Sequence, residues 1–241
     1  LAWNLQGYGG ERYHTAIGQQ STYQLPDGST MKLNTRSRAR VRFSEERRLI
    51  ELEGEGLFTV AHDSSRPFYV RTSGATVRAV GTKFNVYEVT GETQVAVVEG
   101  IVQVTLGSKL STAAVTQPLS PLPAGSAPSV TTSAVALAAG EAARVIDGRI
   151  EKQTLPDPEI AIAWQMHQLV FEDATLSDVV TQFNRYNTGQ IYVDKSVGDT
   201  KRLSGTFDAI HPQSLLLYLA KDRDLSVNRE GNDYRIVREP R

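Results

Sequence analysis

The chain has no cysteine among its 241 residues, which removes disulfides, thiolate chemistry and cysteine-based metal sites at once. Its four histidines, His14, His62, His167 and His211, show no ligand spacing with one another or with acidic groups, so no zinc or iron site and no cofactor is predicted. Net charge is nearly absent: 26 Lys and Arg against 27 Asp and Glu leave −1. That is too little for a general field that would hold nucleic acid or an anionic membrane, so a partner must be found by local surface complementarity. No apolar run reaches the roughly 18 residues that suggest a membrane helix, and no signal-peptide pattern is present. A chain that starts at Leu1 with neither feature reads as a soluble piece of a longer protein. The lack of cysteine suits an oxidising compartment. What is present is 40% hydrophobic residues, enough for one large β domain or two modest domains with real cores.

Residues 13 to 110 consist of strand-length pieces separated by turn signals: Pro26-Asp27-Gly28, Glu45-Glu46, His62 to Ser65, Ser73-Gly74 and Thr90-Gly91. The prediction is an all-β region of stacked or sandwiched short antiparallel strands. Between Thr35 and Phe43 a period of two sends Arg36, Arg38, Arg40 and Arg42 to one face and Ser37, Ala39, Val41 and Phe43 to the other. With the overall charge near neutral, the arginine side reads as a solvated sheet face. From Leu110 to Ala139 the chain turns to Ala, Ser, Thr and Pro, and Pro118, Pro121, Pro123 and Pro128 oppose regular pairing. The better domain break is Pro156-Asp157-Pro158, with a hinge expected across 156 to 160.

Beyond it the period changes. Leu169-Val170-Phe171 reads as a short strand, and Thr175 as the cap of a helix whose apolar face is Leu176, Val179, Val180, Phe183 and Tyr186. That helix should end near Asn187-Thr188-Gly189. Strands are expected at 190 to 194 and 203 to 207, then a helix opened by Pro212 with Leu215, Leu216 and Leu219 inward, then strands at 225 to 229 and 233 to 237. The order predicts a small α+β domain with helices packed over a sheet.

Few residues invite a chemical reading. At Gly81-Thr82 a threonine hydroxyl beside a strained peptide bond can attack the preceding glycine carbonyl, converting amide to ester before hydrolysis. The alternative is structural: Gly81 permits a bulge or close approach, and Thr82 opens the strand of Phe84 and Val86. Glu53 and Glu55 could mimic a carboxylate pair, yet flank Gly54 and Gly56 as surface charges at a turn; without a pocket they do not make a hydrolase. Glu99-Gly100 reads as a turn between apolar strands. In Asn184-Arg185-Tyr186 the tyrosine can bury while Arg185 projects, either as a favourable charge at a helix C-terminus or as an interface anchor. The strands carrying Ile191 and Val193, and Leu203 and Gly205, could offer an edge to a partner strand.

The pieces TYQLPDGSTMKLNTRS at 22 to 37, LEGEGLF at 52 to 58, RPFYVRT at 66 to 72, VGTKFNVY at 80 to 87 and VVEGIVQV at 97 to 104 occur in an order that resembles the periplasmic domain of FecR-type transmembrane anti-sigma regulators. LAAGEAARVIDGRI at 137 to 150 resembles the last strands of that domain. The second half resembles the family's C-terminal part, similar to the STN fold of outer-membrane transducers, through Trp164, Leu169 to Phe171, Leu176, Val179, Asn184 to Tyr186, Ile191, Ser204-Gly205 and Leu215-Leu216. A glycine usual between Trp164 and Leu169 is replaced by Met166-His167-Gln168. The resemblance implies a FecR-type β domain at 13–152 with an excursion at 111–136, and an STN-like α+β domain at 160–238.

It also implies a non-enzymatic signal relay in the periplasm, as the soluble part of a single-pass inner-membrane protein. The C-terminal domain, through Asn184, Arg185, Tyr186, Ile191, Val193, Leu203 and Gly205, would bind the signalling domain of a TonB-dependent transducer loaded with its substrate, commonly an iron-siderophore complex. Periplasmic and intramembrane proteases would then process the regulator and free an extracytoplasmic-function sigma factor, held by a region ahead of Leu1. Some members are thought to break their own chain at the corresponding Gly-Thr, a single turnover at Gly81-Thr82. Two alternatives stand beside the relay: a cell-envelope scaffold that transmits nothing, and a protein whose principal chemistry is that self-cleavage.

Overall fold

A computed structural model of the protein describes residues 10–89, 91–107, 130–131 and 134–239. It divides into two compact units, the first of Leu1–Thr15 and Gln20–Ile162, the second of Ala16–Gln19 and Ala163–Arg241. Unit 1 is made of short strands: β1 (Glu11–His14), β2 (Ser21–Gln24), β3 (Thr30–Leu33), β4 (Arg38–Phe43), β5 (Arg48–Glu53), β6 (Glu55–Thr59), β7 (Phe68–Arg71) and β8 (Ala75–Ala79). These are followed by β9 (Lys83–Val89), β10 (Glu92–Glu99), β11 (Ile101–Leu106), β12 (Val130–Thr131), β13 (Ala134–Ala138), β14 (Glu141–Ile146) and β15 (Arg149–Thr154). The prolines of the Ala/Ser/Thr-rich stretch lie outside the described residues, while the end of that stretch supplies β12 and β13.

The strands form two sheets, ordered β1-β4-β5-β7-β8-β11-β13 and β12-β15-β14-β10-β9-β6-β3-β2. Apolar side chains of both sheets share one core, in which Phe58 stacks on Phe84 at 5.5 Å between ring centroids. This is a sandwich, as the strand pattern predicts. Pairing is antiparallel except for β5 with β7, which run parallel because β6, between them in sequence, belongs to the opposite sheet. In β4 the alternation works as read: Ala39 and Val41 are buried and the arginines point outward. Arg38 pairs with Glu53 at 3.5 Å in an exposed pair of the kind that contributes about 0–1 kcal/mol, and half-buried Arg42 pairs with Glu51 at 3.3 Å.

One arginine behaves otherwise. Arg48, at the head of β5, is completely buried and pairs at 2.6 Å with Asp27 in the turn between β2 and β3. Its remaining donors reach main-chain carbonyls: Nη1 to Ala61 at 2.9 Å, Nη2 to Asp63 at 3.3 Å and Nε to Arg66 at 2.8 Å. A buried guanidinium is tolerable only when its charge is matched and its N–H groups are used, and both conditions are met here. The result is a loop, residues 61–66, fixed from below.

Unit 2 contains β16 (Gln168–Thr175), α1 (Leu176–Tyr186), β17 (Ile191–Val193), α2 (Lys195–Gly198), β18 (Arg202–Asp208), α3 (Gln213–Leu219), β19 (Leu225–Glu230) and β20 (Asp233–Arg238). Thr175 is the α1 cap, its Oγ1 accepting from the Asp178 N–H at 3.1 Å, and Leu176, Val179, Val180, Phe183 and Tyr186 are buried along one stripe. Thr175→Ala is expected to lower the stability of unit 2 by about 1 kcal/mol, read as a shift of its denaturant midpoint; no shift would mean that water replaces the cap freely.

The expected single sheet is instead two. Among the described residues β16 pairs with β18 alone, and β17 joins β20 in parallel, with β19 on the other side of β20. The reason lies in α1, whose Asn184 occupies the other side of β17: Nδ2 donates to the Ile191 carbonyl and Oδ1 accepts from the Ile191 N–H, each at 2.8 Å. The four-residue α2 is too short to show a period in sequence. At the departure noted between Trp164 and Leu169, His167 takes φ 56°, the left-handed conformation that a glycine adopts without strain.

Candidate functional site

Gly81 and Thr82 lie in the short connection between β8 and β9. Gly81 is exposed, whereas Thr82 is 6% exposed and its Oγ1 is buried with no hydrogen-bond partner among the described residues. An orphaned buried hydroxyl costs about 1–3 kcal/mol relative to a satisfied one, so its presence calls for a reason. Backbone bonds tie this connection to the Arg48-fixed loop on both sides: the Val60 N–H donates to the Thr82 carbonyl at 2.9 Å, and the Asp63 N–H to the Val80 carbonyl at 3.1 Å. Between those bonds, His62 faces Gly81 so closely that a Cβ at Gly81 would stand 2.7 Å from His62 Nδ1. From the other side Gly100, at φ 83° in the β10–β11 turn, presses on the pair: a Cβ there would meet Thr82 Cγ2 at 2.8 Å and the Gly81 carbonyl oxygen at 3.1 Å. Any side chain at 81 or 100 would force the connection apart.

Of the two neighbouring glutamates, Glu53 is exposed, but the surface reading of Glu55 is corrected. Glu55 is 5% exposed and accepts from Asn34 Nδ2 at 2.8 Å and Asn85 Nδ2 at 3.0 Å. Gly54, at φ 88°, turns the chain between β5 and β6, so the two carboxylates do not form a pair. Among the described residues, no three His, Cys, Asp or Glu side chains gather as a metal site would require, and no helix is long and apolar enough to cross a membrane.

In unit 2 the residues singled out for a partner do not form one surface. Tyr186, Ile191 and Leu203 are core side chains, and the Asn184 amide is used on the β17 main chain. Val193 is half-buried and Gly205 is exposed. Arg185, half-buried, donates from Nη1 to Gln182 at 2.7 Å and lies 5.6 Å from the Tyr186 ring centroid. Exposed apolar side chains of unit 2 include Tyr192 on β17 at 46%, Met166 at 69%, and Leu217 at 67% with Tyr218 at 49% on α3, where Tyr218 meets Phe207 of β18 edge-on at 6.2 Å. Because β18 pairs only with β16 among the described residues, its outer edge carries unpaired main-chain groups beside these rings. Asn184 closes the corresponding edge of β17.

Residues 11–103, under half of the chain, match the family described as FecR protein. Unit 1 contains a FecR-type domain. The chain also shares its fold with two crystal structures of a candidate anti-sigma factor from Parabacteroides distasonis ATCC 8503, each at 24% identity and TM-score 0.75. The likeness covers 95% of this chain and 99% or 100% of the other. No match was found among curated proteins.

The FecR-type segment runs from β1 into β11 and includes Gly81, Thr82, His62 and the Arg48–Asp27 pair. Sequence reasoning reached Gly81-Thr82 but missed His62 and Arg48. His62 showed only as part of a turn, and its meeting with Gly81 depends on β6 and β9 lying side by side. Arg48 gave no signal, because its partner is 21 residues away in a different turn.

Proposed function

We propose that the chain is the receiving part of a signal relay in the periplasm, acting ahead of an anti-sigma output. Unit 2 docks the signalling domain of a TonB-dependent outer-membrane transducer. Docking alters the exposure of the FecR-type unit to periplasmic and intramembrane proteases, and their cuts release an extracytoplasmic-function sigma factor held elsewhere in the full protein. The observation that carries this reading is a FecR-type domain in a chain whose whole fold is shared with a candidate anti-sigma factor. The exposed edge of β18 beside Leu217 and Tyr218 supports docking by main-chain pairing combined with aromatic burial. Such a relay requires that docking energy favour one of at least two states of the receiving protein.

The test is calorimetric titration of the whole chain with the signalling domain of a transducer encoded beside this gene. Saturable one-to-one binding is expected, weakened about tenfold or more by Arg185→Ala if that side chain anchors the interface. Leu217→Asp should abolish it if the α3 surface carries the contact. Absence of heat and of association by an independent method at high concentration would sink the pairing and favour the scaffold alternative.

A second reading has its own support. The Thr82 hydroxyl, buried with no partner among the described residues beside exposed Gly81, supports self-cleavage at Gly81-Thr82, and fragments 1–81 and 82–241 in the intact mass of the purified protein would establish it.

A further inference from the structure

The outer face of the seven-stranded sheet is basic. Ala39, Val41, Ile50, Leu52 and Val70 point into the core, so alternation sends Arg38, Arg40 and Arg42 of β4, Glu51 and Glu53 of β5 and Arg71 of β7 the other way. Tyr13 of β1 packs on the core, which places Arg12 directly opposite Arg40, and His14 directly opposite Arg38, on the outer face. Five arginines thus share this face with two glutamates, in a chain whose formal net charge is −1. Both carboxylates are engaged: Glu53 pairs with Arg38 at 3.5 Å, and Glu51 is divided between Arg42, 3.3 Å from Oε2, and Arg71 on Oε1. Arg12, Arg38, Arg40 and Arg71 line one cleft of about 880 Å³ with these glutamates, and Glu88 joins them from β9 while accepting from the Ser73 N–H at 2.9 Å.

Like charges directly opposite one another on neighbouring strands destabilise a sheet, so the Arg12–Arg40 pairing works against folding. A face that only had to meet water would be more stable with a neutral polar residue at either position. We propose that this face is a docking surface for an extended acidic segment of a partner protein, laid along β4 with carboxylates at every second residue. Side chains two apart on a strand are about 6.8 Å apart, and an extended segment has the same spacing, so alternate carboxylates meet Arg38, Arg40 and Arg42 in turn. The carboxylate at Arg40 then lies between two guanidinium groups, the second being that of Arg12, and the pairing that opposes folding favours binding. Glu53, whose side chain is 73% exposed on the same face, would be pressed against the phosphates of a bilayer, whereas a narrow segment passes beside it. The face therefore suits a peptide better than a lipid surface.

The whole chain would be titrated calorimetrically with an octapeptide alternating Glu and Thr and with its counterpart carrying Gln for Glu, and mixed separately with vesicles of phosphatidylglycerol and phosphatidylethanolamine. Saturable binding of the Glu peptide alone is expected, weakening as salt is raised. Changing Arg12→Gln together with Arg40→Gln should weaken that binding at least about tenfold and, in the same protein, raise the denaturant midpoint of unit 1, because the like-charged pair is gone. Arginines kept only for structure would give a lower midpoint with peptide binding unchanged, and that result overturns the proposal. Equal binding of the Gln peptide overturns it by removing charge from the recognition. Binding of vesicles with none of either peptide overturns it in favour of a membrane surface, and no binding of any probe at millimolar concentration overturns it in favour of a solvated face.

Discussion

Arg48→Ala is expected to destabilise unit 1 by about 3–5 kcal/mol, the range for removing one member of a buried ion pair. The loss has three sources. Asp27, whose side chain is 2% exposed, keeps its charge with no cation beside it. The carbonyls of Ala61, Asp63 and Arg66 lose the donor that the guanidinium supplies. The ring of Phe68, 5.4 Å from the guanidinium carbon, loses the cation that lies over it. Changing both residues together, Arg48→Met with Asp27→Asn, should be milder than the sum of the single changes, because no unpaired charge remains.

The pH dependence follows from the same pair. Burial pushes the Asp27 carboxyl up, but the hydrogen bonds from Ser29 and Arg48 and the arginine charge outweigh it and hold the group below the usual carboxylate range. A carboxyl depressed in the folded state contributes stability above its unfolded value of about 4, and that contribution is lost as pH falls through the lower folded value. Urea midpoints measured from pH 6 down to pH 2 should therefore fall below about pH 4, and less steeply in Asp27→Asn. An Arg48→Ala midpoint close to that of the unaltered chain would mean that water enters and solvates Asp27.

Phe183→Ala should cost unit 2 a comparable 3–5 kcal/mol or so. The side chain is fully buried, its ring 6.5 Å from that of Phe171 and 6.1 Å from that of Phe207, so truncation opens a void bounded by two strands that cannot both close in. Leu217→Ala, two-thirds exposed on α3, is the contrast: its stability should stay within about 0.5 kcal/mol. Together the two changes separate folding from docking. A Leu217→Ala chain that unfolds as readily as Phe183→Ala would place Leu217 in the core and withdraw the α3 surface from consideration.

What could be read in the sequence was what is local. The α1 stripe and its Thr175 cap need only neighbours three and four places away, and the β4 alternation needs only neighbours two places away. Glu55 escaped because the amides that make its burial tolerable come from Asn34 and Asn85, 21 and 30 residues distant. The two-sheet arrangement of unit 2 turned on a single side chain, Asn184, competing for the edge of a three-residue strand. At Gly81-Thr82 the pair was visible, but the unsatisfied hydroxyl and the facing histidine exist only once β6 and β9 are paired.

The interleaving of the two sheets fixes what a break at Gly81-Thr82 would do. The cut falls between β8, which is laced to β11, and β9, which is laced to β6, so each piece contributes strands to both sheets and each ladder crosses the break. The severed chain is then a nicked body, not two released halves. It keeps its shape while acquiring a new carboxylate and a new amine side by side, and the one connection that previously transmitted tension through the polypeptide is replaced by rows of hydrogen bonds that a pull along the chain can unzip one after another.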